Sequence, residues 1–262
     1  MKYKTIIVDL DRTLLQTDKS LSKYTIDTLK KCKEKGMNLI VATGRPLRNT
    51  TEYNDILNFD SLVLSNGARI ITKDKEIFNE INKNSAKKIL NILEKHNIKI
   101  TIETKETAYS NVKIDNFETI VVNDLTKIIE ENEVLKIIIG LEDENTINII
   151  KEYIDENVYY TIAHNVVAQI MSSKATKLKG VEKVFELNNY SFEESIFFGD
   201  DNDDIGLIQK CKTGVSMSNA IEKVKKASDV ITLSNDEDGV AKFINENVLT
   251  GDKDETSFFS NN

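Results

Sequence analysis

The sequence predicts an α/β protein in which a doubly wound parallel sheet is interrupted by an inserted α+β domain. Three observations carry this prediction. Short apolar runs without polar alternation recur along the chain, as expected of strands that are buried on both faces. Helical patterns separate these runs, which is the order of a parallel sheet. The middle of the chain changes to paired strands, and the first pattern returns after Lys177.

The first core segment alternates strands and helices. Residues Thr5 to Val8 form a buried strand, and a helix over residues 22–35 ends before Gly36. "MNLIVATG" is a second strand, a helical stretch near residues 49–57 follows, and "SLVLSNG" is a third strand. The next stretch, "ARIITKDKEIFNE", predicts a hairpin around "KDK".

The inserted domain is predicted over residues 82–173, within a core formed by residues 1–81 and 174–262. It contains two rounds of a helix followed by strands. The first is a helix at residues 86–95 followed by the strands of "IKITIETKETAYSN". The strand "VLKIIIGL" then precedes a helix at residues 144–155 and the strands of "VYYTIAHNVVAQIM".

The second core segment again alternates helices and strands. Its helices are predicted at residues 177–187, 205–210, 221–227 and 239–247, and the strands between them are "SIFFGD", "TGVSM" and "DVIT". We expect the last dozen residues to be frayed.

Composition excludes several classes of protein. The 262 residues carry a net charge of −8 with no basic arm, which argues against a nucleic-acid binder. No apolar run has membrane-spanning length, and the short run at the N-terminus does not resemble a signal peptide, so we expect a cytoplasmic protein. Cys32 and Cys211 are expected to be buried free thiols, and the two histidines give no metal cluster.

Four predicted strands end in polar residues. These ends carry Asp9 with Asp11, Thr43 with Gly44, Ser65 with Asn66, and Gly199 with Asp200. Ligands of open parallel sheets bind beyond the carboxyl ends of the strands, so we expect these residues to assemble a site.

The chemistry of that site follows from its oxygen atoms. Asp9 and Asp11 face the same side of an extended chain, so one can act as nucleophile and the other as proton shuttle. The alternative is an acidic pair that only caps the end of a strand. "FFGDDNDDIGL" crowds four carboxylates into one turn, which favours Mg²⁺; the alternative is a solvated acidic loop. Thr43 and Gly44 suit an anion, and the spacing leaves open which of the lysines 174, 177 and 179 contributes.

The ordered motifs resemble the haloacid dehalogenase superfamily, and within it the Cof-type phosphatases. The motifs are "DLDRTLL", "VATGR", "SNGA", "SKATKLKGV", "FFGDDNDDIGLI", "MSNAIEKVKKASDVIT" and "NDEDGVAKFI". The resemblance covers residues 1–80 and 174–248, and the intervening segment matches the family's α+β cap only in size and strand pattern.

The resemblance implies the role of each site residue. Asp9 is the nucleophile that forms an aspartyl phosphate, and Asp11 protonates the leaving oxygen and then activates water. The implied Mg²⁺ ligands are Asp9, the backbone carbonyl of Asp11 and Asp200, with Asp203 as a ligand or neighbour and Asp204 ordering the loop. The implied phosphate-binding residues are Thr43, Gly44, Arg45, Asn66 and Lys177.

Three positions depart from the family pattern. Arg12 stands where the family has a small or acidic residue, Asp203 stands where it has Asn, and Leu178 follows Lys177 where Gly is usual. The last departure weakens the choice of Lys177 over Lys174, although the spacing from Gln169 favours Lys177.

The favoured function is a Mg²⁺-dependent phosphomonoester hydrolase for small phosphorylated metabolites such as sugar phosphates. Its cap loops would select the leaving group, with Asn111, Tyr159, His164 and Asn165 as candidates, although each also fits an ordinary cap residue. The alternatives are a phosphotransferase or mutase, a receiver-like signalling module and a non-catalytic phosphate-binding scaffold. We expect no nucleic-acid or membrane partner, and a monomer or weak homo-oligomer.

Overall fold

The fold comes from a computed structural model that describes residues 3–114, 118–141, 145–163 and 166–250. Its strands are β1 (Thr5–Val8), β2 (Asn38–Ala42), β3 (Ser61–Leu64), β4 (Arg69–Ile71), β5 (Glu76–Phe78), β6 (Ile100–Thr104), β7 (Ala108–Ser110), β8 (Ile120–Val121), β9 (Val134–Gly140), β10 (Val158–Ala163), β11 (Val167–Ser172), β12 (Ser195–Gly199), β13 (Thr213–Ser216) and β14 (Val230–Ile231). Its α-helices are α1 (Lys23–Glu34), α2 (Thr51–Leu57), α3 (Lys83–Lys95), α4 (Leu125–Glu131), α5 (Asn145–Tyr153), α6 (Lys177–Asn188), α7 (Ile205–Lys210), α8 (Glu222–Ala227) and α9 (Gly239–Ile244).

The chain forms two compact units. The first consists of residues 1–43, 50–63 and 181–262, and the second of residues 44–49 and 64–180. The predicted insertion at residues 82–173 falls within the second unit, which also includes three shorter segments of the predicted core, residues 44–49, 64–81 and 174–180. The assignment of residues 82–173 to a cap domain stays a prediction.

The first unit contains a parallel sheet in the order β14-β13-β12-β1-β2-β3. The chain starts in the middle of this sheet, adds β2 and β3 on one side, and later adds β12, β13 and β14 on the other. This is doubly wound topology, and the strand order reverses between β1 and β12. Crevices at such a reversal are where ligands bind in open α/β sheets.

The central strands are apolar because both of their faces are covered. Ile6, Ile7 and Val8 of β1 are completely buried, as are Phe197 and Phe198 of β12. Full burial of one such side chain contributes about 1.5–3 kcal/mol relative to its exposure in water. These strands therefore form a rigid base, and the residues that follow them are held in place.

Helix α1 shows how local sequence sets an element's limits. The Ser22 hydroxyl accepts a hydrogen bond from the Thr25 backbone N–H at 3.0 Å, which caps the N-terminus. Leu29 and Cys32 are buried on one face of the helix. Gly36 follows the C-terminus with a φ of 82°, a left-handed conformation that favours glycine.

The second unit contains a six-stranded sheet in the order β10-β11-β9-β6-β7-β8. One face of this sheet is apolar and includes Ile100, Ile102, Ile137, Ile139 and Ile170. These side chains cluster with apolar residues of α3, α4 and α5, such as the Leu90 side chain. Strands β4 and β5 form the predicted hairpin, with Arg69 paired to Phe78.

The α/β fold class predicted from the sequence is confirmed. Among the strands and α-helices of the described residues, α4 and the two-residue strand β8 were not predicted. Beyond Ile244 the predicted last helix continues as a π-helical turn, Asn245–Leu249. The predicted fraying of the C-terminus concerns residues that lie mainly outside the described part of the chain.

Both cysteines are free and buried, as expected. Burial raises the pKa of both thiols, Cys32 and Cys211, to about 12. They therefore stay protonated at neutral pH, and thiolate chemistry is not available to them. None of the helices in the described part of the chain combines the length and the apolar character that a bilayer span requires.

Candidate active site

Three buried carboxylates meet at the point where the strand order of the first unit reverses. Asp9 follows β1 and Asp200 follows β12, and the register of these neighbours pairs Val8 with Phe198. Asp204 lies in the short turn beyond Asp200. One carboxylate oxygen from each of the three aspartates lies within 4.8 Å of the other two. The structure thus brings Asp9 and Asp200, from two of the predicted strand ends, together with Asp204.

The carboxylates fit a hard divalent cation. All three are at most 5% exposed, and buried anions this close together require compensating positive charge. The donors are oxygen atoms alone, which suits Mg²⁺ and disfavours zinc. Asp203 is half-buried and lies outside this trio.

Asp204 organises the turn that carries Asp200. Its Oδ2 accepts hydrogen bonds from the backbone N–H groups of Asp200 at 2.9 Å and Asp201 at 3.1 Å. The carboxylate also lies against the Cα of Gly199, where an added Cβ would meet its atoms at 2.6–2.7 Å. The loop-ordering role implied for Asp204 agrees with this geometry.

Asp200 is also held by the turn that follows Asp9. The Thr13 hydroxyl donates to its Oδ1 at 2.9 Å, in a buried hydrogen bond. The Arg12 Nε lies 3.8 Å from its Oδ2. Two side chains of the "DRT" sequence thus reach Asp200, the carboxylate predicted to bind the metal. Thr13 and Asp200 are 187 residues apart in the sequence.

Asp11 differs from Asp9 in environment. Its side chain is 31% exposed, and its Oδ1 accepts a hydrogen bond from Lys19 at 2.8 Å. The Lys19 backbone carbonyl in turn accepts one from the Tyr53 hydroxyl at 3.0 Å. A nucleophile needs a fixed position, whereas a proton shuttle needs access to leaving group and water, so the two environments suit the two predicted roles.

Two later motifs fix the turn at residues 10–14. Asn219 of "MSNA" donates to the Arg12 carbonyl at 2.8 Å, and the Arg12 guanidinium donates to the Asn219 carbonyl at 3.0 Å. Asn235 of "NDEDG" donates to the Leu15 carbonyl at 3.0 Å, and its own N–H donates to the Asn219 side chain. The motifs thus contribute supporting hydrogen bonds, a role that the sequence did not indicate.

Thr43 lies at the adjacent strand end. It is 1% exposed, and its backbone N–H donates to the Val63 carbonyl at 2.8 Å. The register that pairs Val8 with Val41 sets Thr43 one residue beyond the level of Asp9.

The second unit contains the remaining predicted phosphate-binding residues. Gly44 lies beside Asn66, whose side-chain oxygen would be 3.0 Å from a Cβ on Gly44. Arg45 donates to the Asn49 carbonyl at 3.1 Å. Lys177, the first residue of α6, is 5% exposed, whereas Lys174 is exposed.

Lys179, the third lysine of that segment, is also exposed, and its ammonium donates to the Ser173 carbonyl at 2.6 Å. Burial of an ammonium group is costly without an anionic or polar partner. Among the three lysines, the structure therefore distinguishes Lys177 from two surface residues.

The loop after β3 has an unusual backbone. Ser65, Asn66 and Gly67 have φ values of 48°, 55° and 93°. A Cβ on Gly67 would lie 2.4 Å from the Thr176 carbonyl oxygen, so this position requires glycine. Strained backbone of this kind clusters at ligand-binding sites, although it does not by itself identify a ligand.

The predicted specificity residues have structural contacts. Asn111 accepts from the Ile100 N–H at 2.9 Å and donates to the Ile98 carbonyl at 3.0 Å. The Tyr159 hydroxyl donates to the Ala175 carbonyl at 2.6 Å. His164 and Asn165 lie outside the described residues.

The sequence analysis did not identify a pair of buried charged residues in the second unit. Glu103 and Lys136 are each 2% exposed and face each other across strands β6 and β9. Arg48 donates to Glu103 at 3.3 Å. Lys136, a single charged residue within the otherwise apolar strand β9, was the available signal in the sequence.

Comparisons with known proteins identify the family to which the chain belongs. Residues 6–244 match the family described as haloacid dehalogenase-like hydrolase. Two proteins of Bacillus subtilis named 5-amino-6-(5-phospho-D-ribitylamino)uracil phosphatase are similar: YitU is 27% identical over 92% of this chain and 96% of its own, and YcsE is 28% identical over 94% and 96%. A haloacid dehalogenase-like hydrolase from Bacteroides thetaiotaomicron has a similar structure, with a TM-score of 0.84, 25% identity, and coverage of 94% of this chain and 99% of that one.

Proposed function

On the premise that this chain belongs to the haloacid dehalogenase-like hydrolases and is a phosphatase, we propose that it hydrolyses phosphate monoesters of small metabolites, including sugar phosphates. The proposed reaction uses Mg²⁺ and passes through an aspartyl phosphate on Asp9. The observation that carries the proposal is the convergence of Asp9, Asp200 and Asp204 within 4.8 Å at the reversal of the sheet.

The proposed chemistry begins with Asp9. One of its carboxylate oxygens attacks phosphorus, the bond from phosphorus to the ester oxygen breaks, and Asp11 protonates the departing oxygen. Asp11 then accepts a proton from water as that water attacks the aspartyl phosphate. Inorganic phosphate leaves, and Asp9 is regenerated.

The remaining charged groups balance the phosphoryl dianion. Asp9, the Asp11 carbonyl and Asp200 are the proposed ligands of Mg²⁺, which when bound would neutralise charge on the phosphoryl oxygens. Thr43 and Lys177 are the proposed donors to those oxygens, and the burial of Lys177 supports its choice over Lys174. In the proposed site, Mg²⁺ and Lys177 thus offset the negative charge of the acidic residues.

Two considerations support a small sugar-like or polyol substrate. The two relatives from Bacillus subtilis are named for a phosphate carried by a ribityl group. An inserted domain over residues 82–173 would act as a cap that selects the leaving group. The choice among such esters is part of the proposal.

The test of the catalytic proposal is phosphate release by Asp9→Asn. The amide is nearly the same size as the carboxylate but is a poor nucleophile, so we expect turnover to fall by at least ~10³-fold while the fold persists. Release of inorganic phosphate from a panel of sugar phosphates in Mg²⁺ buffer measures this. Asp27→Asn, the same substitution at an exposed position of α1, is the matched control.

Asp11→Asn separates hydrolysis from simple phosphate acceptance. Without the base, the aspartyl phosphate should accumulate, and acid-quenched protein should retain label from a labelled substrate. Near-normal turnover by Asp9→Asn would contradict the nucleophile assignment. Transfer of label to an added sugar hydroxyl, with no release to water, would instead favour the phosphotransferase alternative.

A further inference from the structure

The turn at residues 16–20 of the first unit places an ammonium group beside the predicted proton shuttle. Nζ of Lys19 donates a hydrogen bond to Oδ1 of Asp11 at 2.8 Å. The Lys19 side chain is 51% exposed and that of Asp11 is 31% exposed, so this ion pair contributes little to the stability of the fold. Its consequence lies in the position that it gives to the Asp11 carboxylate.

The backbone of Lys19 is fixed within this turn. Its N–H donates to the Gln16 carbonyl at 2.9 Å, and the Gln16 N–H donates to the Ser20 carbonyl at 3.0 Å. Its own carbonyl accepts a hydrogen bond at 3.0 Å from the hydroxyl of Tyr53, a buried residue of α2. A side chain that starts from a fixed backbone loses less conformational entropy when its ammonium binds a neighbour.

The same turn is tethered to the short helical turn Asn235–Glu237. The Thr17 N–H and the Thr17 hydroxyl donate to the two carboxylate oxygens of Asp236, each at 2.7 Å. These two bonds hold the pKa of Asp236 below its usual value, so the carboxylate stays ionised at neutral pH. The turn that carries Lys19 therefore has contacts with two separate parts of the first unit.

Lys19 has a backbone conformation that is unusual for a lysine. Its φ of 72° lies in the left-handed region, where glycine and asparagine are favoured. A larger side chain at this φ costs conformational energy, and residues strained in this way cluster at functional sites. The contact that gives this lysine a function is the bond from its ammonium to Asp11.

Asp11 lies two residues from Asp9 but outside the group of buried carboxylates. That group consists of Asp9, Asp200 and Asp204, whose oxygen atoms lie within 4.8 Å of one another. A divalent cation held by these residues would attract further carboxylates, and a carboxylate that joins it is lost to proton transfer. The bond to Lys19 gives the Asp11 carboxylate a competing cationic partner.

We propose that Lys19 is a positioning residue that keeps the Asp11 carboxylate out of the metal site and available for proton transfer. This inference rests on the proposed phosphatase function, in which Asp11 is the proton shuttle. The residues that carry it, Asp9, Asp11, Lys19 and Tyr53, all belong to the first unit. Loss of the ammonium should let Asp11 become an additional Mg²⁺ ligand, which would tighten metal binding and impair proton transfer.

Lys19→Met tests the proposal through Mg²⁺ affinity as well as turnover. Methionine keeps an unbranched apolar stem but removes the charge. We expect calorimetry to show a Kd for Mg²⁺ about 5–20-fold lower, because a carboxylate ligand is gained. At saturating Mg²⁺, kcat for phosphate release should fall about 10–100-fold with little change in KM, because the displaced group acts in the chemical step. Lys19→Arg, which retains a cation, should stay within about threefold of the wild type in both measurements.

Two controls separate this effect from a general change of charge or stability. Lys23→Met removes an exposed ion pair with Asp27 on α1 and should leave both the Kd and kcat unchanged. Lys19→Met combined with Asp11→Asn should bind Mg²⁺ no more tightly than Asp11→Asn alone, because the amide supplies no anionic ligand. The difference between the two backgrounds measures the coupling between Lys19 and Asp11.

Each outcome has a distinct interpretation. An unchanged or raised Kd in Lys19→Met would show that Lys19 only orders the turn, and would overturn the proposal. An equal tightening in the Asp11→Asn background would also overturn it, since the change would then come from the lost positive charge alone. If the wild type released no phosphate from any ester while the tightening still required Asp11, the positioning of Asp11 by Lys19 would stand and the proposed hydrolysis of small phosphate esters would be contradicted.

Discussion

Arg12 occupies the turn after Asp9 in a left-handed conformation, with a φ of 59°. The family pattern has a small or acidic residue at this position, and a non-glycine residue at this φ carries strain. Its guanidinium contacts the Asn219 carbonyl and approaches Asp200. We infer that its positive charge weakens the attraction of Asp200 for a cation.

Arg12→Met should therefore tighten Mg²⁺ binding. Arg12 is 44% exposed, so the ion pair at 3.8 Å is screened, and we expect the Kd to fall only about two- to fivefold. Calorimetric titration of Mg²⁺ measures this directly. Lys23→Met, which removes an ion pair on α1, should leave the Kd unchanged, and weaker binding by Arg12→Met would show that the side chain mainly orders the turn.

Some site residues and charged residues could be identified from the sequence and others could not. The two groups differ in how far along the chain their contacts lie. Asp9 and Asp200 were predictable because each directly follows an apolar strand whose topology fixes its position. Arg48 was not, because its partner Glu103 is 55 residues away and its environment depends on that contact. The supporting role of Asn219 was equally hidden, since its contact with Arg12 spans 207 residues.

At the scale of elements, strand β12 and the turn that follows it together position Asp200. Gly199 ends the strand, and the Asp204 carboxylate packs on its Cα while accepting two backbone N–H groups. A side chain at position 199 cannot be accommodated unless Asp204 moves. The orientation of Asp200 therefore depends on a missing Cβ.

Gly199→Ala is expected to weaken the metal site more than the fold. We expect destabilisation of about 1–3 kcal/mol from overpacking. Displacement of a group that orients a ligand should raise the Kd for Mg²⁺ about 10–100-fold. Thermal unfolding and Mg²⁺ calorimetry measure the two effects.

Gly36→Ala provides the control for that experiment. Gly36 has a φ of 82° but open space around its Cα, so alanine should destabilise the fold by about 1 kcal/mol through backbone strain alone. Its Mg²⁺ affinity should be unchanged. Equal Mg²⁺ affinities for the two variants would mean that Asp204 does not position Asp200.

Element prediction succeeded for β1 and α7 and failed for α4 and β8, and length alone does not separate the two outcomes. Strand β1 and helix α7 were predicted at their observed limits, because an apolar run or a helical repeat is complete within each. Helix α4 has seven residues, one more than α7, and its start depends on Asp124, whose side chain accepts a hydrogen bond from the Lys127 N–H at 3.1 Å. Strand β8 consists of two exposed residues, Ile120 and Val121, which are too few to show the alternation typical of a strand.

At the scale of the whole molecule, the limits of the two units also depend on contacts between residues that are distant in sequence. Composition suggested an insertion at residues 82–173, but residues 44–49 group with the second unit as well. The Lys136 side chain contacts the Gly44 carbonyl across 92 residues of sequence, and no local sequence pattern predicts this contact. Unit boundaries thus depend on distant pairs rather than on local composition.

Metal binding should appear in the stability of the protein as well as in its activity. A ligand that binds only the folded state stabilises it by mass action, by about 1.4 kcal/mol at a tenfold excess over Kd. For a chain of this size that corresponds to a rise in Tm of about 3–6 °C. We expect Mg²⁺ to produce this rise in the wild type, and Asp200→Asn to abolish it at the same concentration.

Ca²⁺ separates binding from catalysis. It takes more ligands than Mg²⁺ and often binds carboxylates through both oxygens, whereas the proposed attack requires one free oxygen on Asp9. Ca²⁺ should therefore raise the Tm as Mg²⁺ does, yet inhibit phosphate release in competition with Mg²⁺. Thermal scans and steady-state rates across both titrations measure the two effects, with chelator-treated protein as the baseline. Full activity in excess chelator would refute the metal requirement, and equal rates with Ca²⁺ would refute the single-oxygen geometry proposed for Asp9.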